Sequence, residues 1–236
     1  MKDEKKVVVI TGATGVLGNL VAKTFAERGH NIALLAKDQN KLDSLARDLN
    51  LPTERLYTQA IDLLDGHAVH DSAQAVHSKF GSIHALIHLV GGWTGGKTIP
   101  ESSADDFESM LNQHAWTTFH LLQAFASHIA ASKWGRVMIV SMPVTVKPSA
   151  KMALYAAAKS AQESLVLTLA EEYKESGLTA NVIHVKSIDT KGTGKGTSPA
   201  EIVSAMTYLF SDEASKVNGA RIPLYQRNAK PIHTNQ

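Results

Sequence analysis

Short runs of consecutive apolar residues alternate along this chain with longer stretches in which apolar residues recur every three or four positions. Residues 6–10 form the first such run, followed by a glycine-rich turn at residues 11–18 and by an amphipathic stretch that extends to Gly29. A β-branched apolar run is typical of a buried strand, and the longer spacing is typical of one helix face. The chain is therefore predicted to begin with a strand, a tight turn and a helix.

The same alternation continues along the rest of the chain. Strands that are joined through helices pair in parallel by right-handed crossovers, and the helices cover both faces of the sheet. We therefore predict an α/β fold: a single Rossmann-type, doubly wound domain over residues 1–236, with a parallel seven-stranded sheet and helices on both faces. The further strands are predicted at 31–36, 55–61, 83–90, 136–141, 179–185 and 221–224, and the further helices at 40–49, 66–80, 105–131, 152–176 and 199–210.

Composition narrows the classes of function. Hydrophobic residues make up 44% of the chain and charged residues 19%, and the net charge of +2 comes from mixed signs, which favours a soluble globular protein without a nucleic-acid partner. The lack of cysteine excludes disulfides and thiol catalysis, and no apolar run approaches the ~18 residues of a membrane span. The eleven histidines show no ligand spacing, so no metal is expected. We expect a cytoplasmic enzyme that acts on a small molecule, without a membrane partner.

Three glycines, Gly12, Gly15 and Gly18, lie between the first strand and the first helix. They permit a tight turn and a close approach of a pyrophosphate to the helix N-terminus; a turn without a ligand is the alternative. Asp62, after the third strand, is expected to bind an adenine amine or to cap the following helix. The predicted cofactor-binding residues on these turns are Gly12, Thr14, Gly15, Val16, Leu17, Gly18, Asp62, Leu63, Val90 and Gly91.

The end of the second strand bears on the choice of dinucleotide. A carboxylate at position 36 would hold the ribose hydroxyls of NAD, but the residue there is Ala36. Lys37 can instead pair with a 2′-phosphate, which favours NADP, whereas the neighbouring Asp38 argues for NAD. NADP is therefore the predicted cofactor, with NAD possible, unless Lys37 is simply solvated.

Tyr155 and Lys159 lie four residues apart in the alanine-rich run 154–159, which places them on one face of a helix. A phenol titrates near ~10, and a cation beside it favours the phenolate. Lys159 is therefore expected to lower the pKa of Tyr155 and to make it a usable proton donor. The alternative is an ordinary pair of helix surface residues, because this spacing is common.

The glycine turn, Asp62, the Gly91–Gly92 turn and the Tyr155/Lys159 pair together resemble the short-chain dehydrogenase/reductase family over nearly the whole chain. The resemblance implies that Tyr155 is the general acid/base and that Lys159 binds the nicotinamide ribose. It also places Thr190 where a threonine often meets the nicotinamide carboxamide.

Two catalytic residues that the resemblance implies are missing. Met142 stands at the position of the family's catalytic serine, and His114 stands at the position of its supporting asparagine. Ser141, one place short, is a catalytic candidate only if a local bulge turns its side chain towards the site, because strand alternation sets side-chain direction. His114 either relays protons, since histidine titrates near neutrality, or fills the vacated place.

A narrower similarity concerns the substrate. The segments 91–96 and 113–117 resemble dihydropteridine reductase, a branch that also lacks the serine and keeps the Tyr/Lys pair. Trp93 is expected either to stack on a planar substrate ring or to pack within the protein. The predicted substrate-binding residues are Trp93, Met142 and His114.

Taken together, these features predict an NAD(P)H-dependent oxidoreductase that transfers a hydride to a carbonyl or to an activated C=N heterocycle such as a quinonoid dihydropteridine. The alternative is a dinucleotide-binding redox sensor or scaffold that has lost its chemistry. The helices predicted at 105–131 and 152–176 are expected, from the resemblance, to pair between copies in a homodimer or homotetramer.

Overall fold

A computed structural model describes residues 5–225. Its centre is one sheet of seven parallel strands in the order β3-β2-β1-β4-β5-β6-β7. The chain runs outwards in one direction from β1 and in the other from β4, so the switch point lies between these two strands. The strands are β1 Val7–Thr11, β2 Asn31–Ala36, β3 Leu56–Ala60, β4 Ala85–His88, β5 Gly135–Ser141, β6 Leu178–His184 and β7 Arg221–Pro223.

Within residues 5–225, seven α-helices connect the strands and cover both faces of the sheet. Alternate residues of β1 point to opposite faces, so that Val9 packs with α3, α5 and α6, whereas Val8 packs with α1, α2 and α7. The predicted fold class is confirmed. The helices are α1 Val16–Glu27, α2 Gln39–Leu49, α3 Gly66–Phe80, α4 Ala104–Leu111, α5 Thr117–Ala131, α6 Ala153–Glu172 and α7 Pro199–Phe210.

Side-chain caps decide where several helices begin. Asp38 accepts a hydrogen bond from the Lys41 amide at the start of α2, and Asp65 accepts one from the Ala68 amide at the start of α3. The predicted cap at Asp62 is therefore wrong, because Asp65 takes that place. Asp62 instead accepts from the Leu64 amide within the turn before α3.

The helix predicted at residues 105–131 is interrupted. A π-helical turn at Asn112–Trp116 separates α4 from α5, and the Thr117 amide bonds the Asn112 carbonyl five residues back. The Thr118 hydroxyl donates to the His114 carbonyl at 2.6 Å, so a side chain satisfies a carbonyl of this turn. Periodicity alone did not predict the turn, which brings His114 towards the sheet.

Candidate active site

A cavity of about 440 Å³ lies beyond the carboxyl ends of the central strands β1, β4, β5 and β6. A volume of this size is typical of a small-molecule site. Four predicted cofactor residues, Thr14, Lys37, Asp62 and Leu63, do not line it. The predicted residues that do line it are Gly12, Gly15, Val16, Leu17, Gly18, Val90, Gly91, Trp93, His114, Ser141, Met142, Tyr155, Lys159 and Thr190.

The glycine turn brings the N-terminus of α1 to the cavity. Gly12 has φ +67, and a Cβ on it would lie 3.0 Å from the Leu89 carbonyl carbon, so glycine allows the turns after β1 and β4 to meet. No side chain caps α1, whose cap position is Gly15, and its first turn holds no acidic residue. Amide groups at a helix N-terminus that faces a cavity are suited to bind phosphate.

The charges around the cavity also favour an anionic ligand. Lys159 and Lys186 line it, and the lining residues include no aspartate or glutamate. A pyrophosphate is compatible with this electrostatic environment and with the α1 N-terminus. The residues present therefore fit a nicotinamide dinucleotide: the glycine turn would hold its phosphates, and the residues around Tyr155 would hold its reactive ring.

Lys37, which follows β2, and Asp62, which follows β3, contact each other. The Lys37 Nζ is 3.1 Å from both carboxylate oxygens of Asp62. A hydrogen bond from the Leu64 amide, followed by the Lys37 ammonium, keeps the pKa of Asp62 below its ordinary value despite partial desolvation. The two predicted adenosine-binding residues are thus brought together as an exposed ion pair.

Tyr155 and Lys159 lie one turn apart on α6, and both line the cavity. Burial raises the pKa of Tyr155 to about 12 and lowers the pKa of Lys159 to about 8. The prediction of a lowered Tyr155 pKa is wrong for this arrangement, because burial determines the net shift. The Lys159 ammonium donates instead to the Val140 carbonyl at 2.9 Å and to the Gln162 side chain at 2.8 Å.

His114, in the π-turn, packs edge-on against Tyr155 with the ring centroids 5.3 Å apart. Its Nε2 lies 2.9 Å from the Gly92 carbonyl, and a Cβ on Gly91 would approach the ring to 2.7 Å. Burial, then the charge of Lys159, lowers the pKa of His114 to about 4. A histidine that stays neutral at neutral pH does not titrate there, so the predicted relay based on a pKa near neutrality is wrong.

Ser141 borders the cavity, but its hydroxyl serves another partner. It donates to the Glu163 carboxylate at 2.6 Å, and β5 pairs with β6 in unbroken register up to Ser141 and His184. The bulge that would free the Ser141 hydroxyl for the substrate is therefore not present, and Met142, which has no hydroxyl, lines the cavity beside it. Strand alternation is the physical reason, because successive side chains point to opposite faces.

Sequence reasoning did not identify Gln162 and Glu163, which follow Lys159 on α6 and are fully buried. Their spacing from Lys159, three and four residues, is the signal that places them on its face of the helix. His88 was also missed: its Nδ1 lies 2.6 Å from the Thr11 hydroxyl, and it lines the cavity. Burial, then the charge of Lys159, lowers the pKa of His88 to about 3, so it is neutral at neutral pH.

Two further findings concern residues 5–225 as a whole. Within this range, no helix is both long and apolar enough to cross a membrane. Nor does this part of the chain group three or more histidine, aspartate, glutamate or cysteine side chains in a way that could hold a metal ion.

Comparison with known proteins agrees with the geometry of the site. The chain is 26% identical over 224 residues to an uncharacterized oxidoreductase of Staphylococcus epidermidis, covering 92% of this chain and 95% of that protein. It is 24% identical over 236 residues to a 3-oxoacyl-acyl-carrier-protein reductase of Salmonella typhimurium, covering 93% and 95%. The solved structure of a short-chain type dehydrogenase/reductase from Mycobacterium ulcerans has the same fold, with a TM-score of 0.86, 18% identity and coverage of 94% of this chain and 88% of that one.

The family model described as short chain dehydrogenase matches residues 6–200. This range contains the glycine turn, the cavity and the Tyr155/Lys159 pair. The chain therefore belongs to the short-chain dehydrogenase family of oxidoreductases.

Proposed function

We propose that this protein is an NADP(H)-dependent reductase that transfers a hydride and a proton to a carbonyl group or to an activated C=N bond, such as that of a quinonoid dihydropteridine. Tyr155 and Lys159 line the same cavity as the uncapped N-terminus of α1, and this juxtaposition is the main support. A nicotinamide dinucleotide bound there supplies the hydride. The residues of the chain hold the reactants and provide the proton.

Tyr155 is in the form that the reduction needs. With a pKa raised to about 12 by burial, its phenol stays protonated at neutral pH and can donate to the oxygen or nitrogen that takes up the electron pair of the double bond as the hydride adds to the carbon. The phenolate that remains is then reprotonated by water. The buried Lys159 ammonium, held beside it on α6, stabilises that phenolate while it exists.

The surroundings of Tyr155 favour an activated substrate. Loss of one hydrogen-bond donor to a developing oxyanion typically costs ~2.7 to 4 kcal/mol of transition-state stabilisation. Met142 cannot donate, and the Ser141 hydroxyl is bonded to Glu163. A planar, electron-poor heterocycle needs less of this help, and the Trp93 ring, 61% exposed and bordering the cavity, can stack on it.

NADP is favoured over NAD by the cation at the end of β2. Lys37 pairs only with the exposed Asp62 among the described residues, and an exposed pair of this kind is weak. A 2′-phosphate would be a stronger partner for the same ammonium. The residue at position 36 is Ala36, so no carboxylate is present there to hold the ribose hydroxyls of NAD.

The proposal is tested with Tyr155→Phe. NADPH and NADH oxidation is measured with quinonoid dihydropterin, simple quinones, aldehydes and β-keto esters as acceptors, and dinucleotide binding is measured separately by fluorescence. We expect turnover of the pterin or quinones to fall ~10²-fold or more in Tyr155→Phe, because the proton donor is lost, while dinucleotide affinity stays within a few-fold. Tyr208→Phe, an exposed change on α7, is the matched control and should leave both unchanged.

Other outcomes would replace parts of the proposal. Turnover of ordinary ketones would show that another donor takes the place of the missing serine and that the substrate need not be activated. Tight dinucleotide binding without turnover of any acceptor would instead favour a redox sensor or scaffold.

A further inference from the structure

A chain of buried hydrogen bonds lies behind Lys159. The Lys159 Nζ donates to the Gln162 Oε1 at 2.8 Å, and the Gln162 Nε2 donates to the Thr118 hydroxyl oxygen, also at 2.8 Å. The Thr118 hydroxyl in turn donates to the His114 carbonyl at 2.6 Å. Lys159, Gln162 and Thr118 are at most 5% exposed.

Each group in this series of hydrogen bonds has one possible role as donor or acceptor. An ammonium only donates, so the Gln162 side chain must accept through its oxygen and donate through its nitrogen. The Thr118 oxygen therefore accepts, and its proton is directed to the His114 carbonyl. The donor and acceptor roles of these groups are therefore fixed and cannot be exchanged. In addition, a neutral amide does not take up and release protons near neutral pH. The chain is suited to orient Lys159, not to conduct protons.

The π-turn supplies the fixed end of the chain. Its His114 carbonyl accepts from the Thr118 hydroxyl, and α5 and α6 are in contact beside it. Together with the Val140 carbonyl, the Gln162 oxygen occupies two of the three N–H groups of Lys159. The direction of the third N–H group is therefore set by two acceptors, the Val140 carbonyl on β5 and the Gln162 side chain on α6.

We propose that Gln162 and Thr118 are positioning residues. They link the Lys159 ammonium to the His114 carbonyl of the π-turn, so that the remaining N–H group of Lys159 points into the cavity and can donate to a bound ligand. The inference deepens the proposed function and rests on it for its catalytic consequence. The hydrogen-bond chain itself belongs to the protein without any ligand, so it can be measured independently of turnover.

The test compares Gln162→Met, which keeps the length of the side chain without its polar groups, with the pair Thr118→Val and Thr118→Ser. Protein carrying ¹³C-labelled lysine is titrated by NMR from pH 6 to 10, and the Lys159 signal is assigned by its loss in Lys159→Arg. We expect the midpoint of Lys159 to fall by ~1 pH unit in Gln162→Met, because the charged form loses an acceptor. Thr118→Val should give a smaller fall, and Thr118→Ser should restore the wild-type value.

Four titratable groups near Lys159 keep one charge state in this range. The pKa values are about 2 for Glu163, about 3 for His88, about 4 for His114 and about 12 for Tyr155. A change in the Lys159 midpoint between pH 6 and 10 is therefore not caused by the titration of any of these four groups.

Turnover with the best acceptor is the second readout. We expect kcat to fall ~10-fold in Gln162→Met, with Gln123→Met, on the exposed face of α5, as an unchanged control. An unchanged Lys159 midpoint in folded Gln162→Met, or in Thr118→Val if the former does not fold, would overturn the inference. A shifted midpoint in a protein without any turnover would retain the positioning role and reject the proposed function instead.

Discussion

At the scale of single residues, the proposed preference for NADP depends on Lys37. This residue lies directly after β2, and its Nζ lies 3.1 Å from both carboxylate oxygens of Asp62. Both side chains are more than half exposed, so water and salt screen the pair and it contributes little to stability. If a ligand phosphate took the place of Asp62 as the partner of Lys37, little free energy would be lost from this pair. Lys37 is therefore available to a ligand.

The corresponding prediction concerns Lys37→Ala. We expect the dissociation constant for NADPH to rise ~10-fold and that for NADH to change less than two-fold, because only NADPH carries the 2′-phosphate. Lys41→Ala is the control, since Lys41 pairs with Asp38 at the start of the next helix. Equal losses for both dinucleotides, measured by fluorescence titration at one salt concentration, would remove Lys37 as the selecting residue.

At the scale of elements, the contact between the Gly91–Gly92 loop and the π-turn sets the shape of the site. A Cβ on Gly91 would lie 2.7 Å from the His114 ring, and one on Gly92 would overlap the Gln113 side-chain oxygen. The loop after β4 approaches His114 this closely because Gly91 lacks a side chain. His114 in turn packs edge-on against Tyr155, so the loop contacts α6, which carries Tyr155, through one ring.

Gly91→Ala should therefore displace His114 and disturb Tyr155. We expect a loss of ~1 to 3 kcal/mol in the free energy of unfolding, from overpacking, together with a fall in turnover. Gly66→Ala, at the start of α3, is the control, because a Cβ there meets its nearest neighbour at an ordinary 3.4 Å. Urea unfolding and kcat of both variants test this, and wild-type values for Gly91→Ala would contradict it.

At the scale of the whole molecule, Glu163 ties α6 to three strands. Its buried carboxylate accepts from Ser141 on β5, His184 on β6 and Arg221 on β7, at 2.6, 2.8 and 2.6 Å. Desolvation opposes the charge, but these hydrogen bonds outweigh it and lower the pKa of Glu163 to about 2. The helix that carries Tyr155 and Lys159 is thereby fixed to one half of the sheet.

This pKa predicts how stability depends on pH. A carboxyl whose pKa is lowered from 4.5 to about 2 stabilises the folded state by about 3 kcal/mol above pH 4.5, and this contribution is lost as the pH falls towards 2. Glu163→Gln should therefore be less stable than wild type at pH 7, and the difference should shrink at pH 3. Urea unfolding at both pH values, with exposed Glu171→Gln as control, measures it. A difference independent of pH would contradict the assignment.

Several predictions from the sequence concern properties beyond the contacts of one chain. The homodimer or homotetramer through the long helices, the cytoplasmic location and the choice of NADP stay predictions. The extension of the domain to residues 1–4 and 226–236 lies outside the described residues.

The sequence by itself determined the sheet, its connecting helices, the glycine turn at α1 and the common location of Tyr155 and Lys159. These features depend on residue spacing along a strand or helix, which is local and therefore readable from the order of residues. Met142 and His114 were recognised as departures through the resemblance to the short-chain dehydrogenase/reductase family.

Only the tertiary structure decided what the polar residues of the site bind. Gln162 and Glu163 look like helix surface in the sequence, yet they are buried because β5, β6 and the π-turn supply partners that are distant along the chain. The same holds for the Ser141 hydroxyl, for the Lys37–Asp62 pair and for the raised pKa of Tyr155. Burial and hydrogen-bond partners depend on which elements meet in space, and residue spacing within one element does not contain that information.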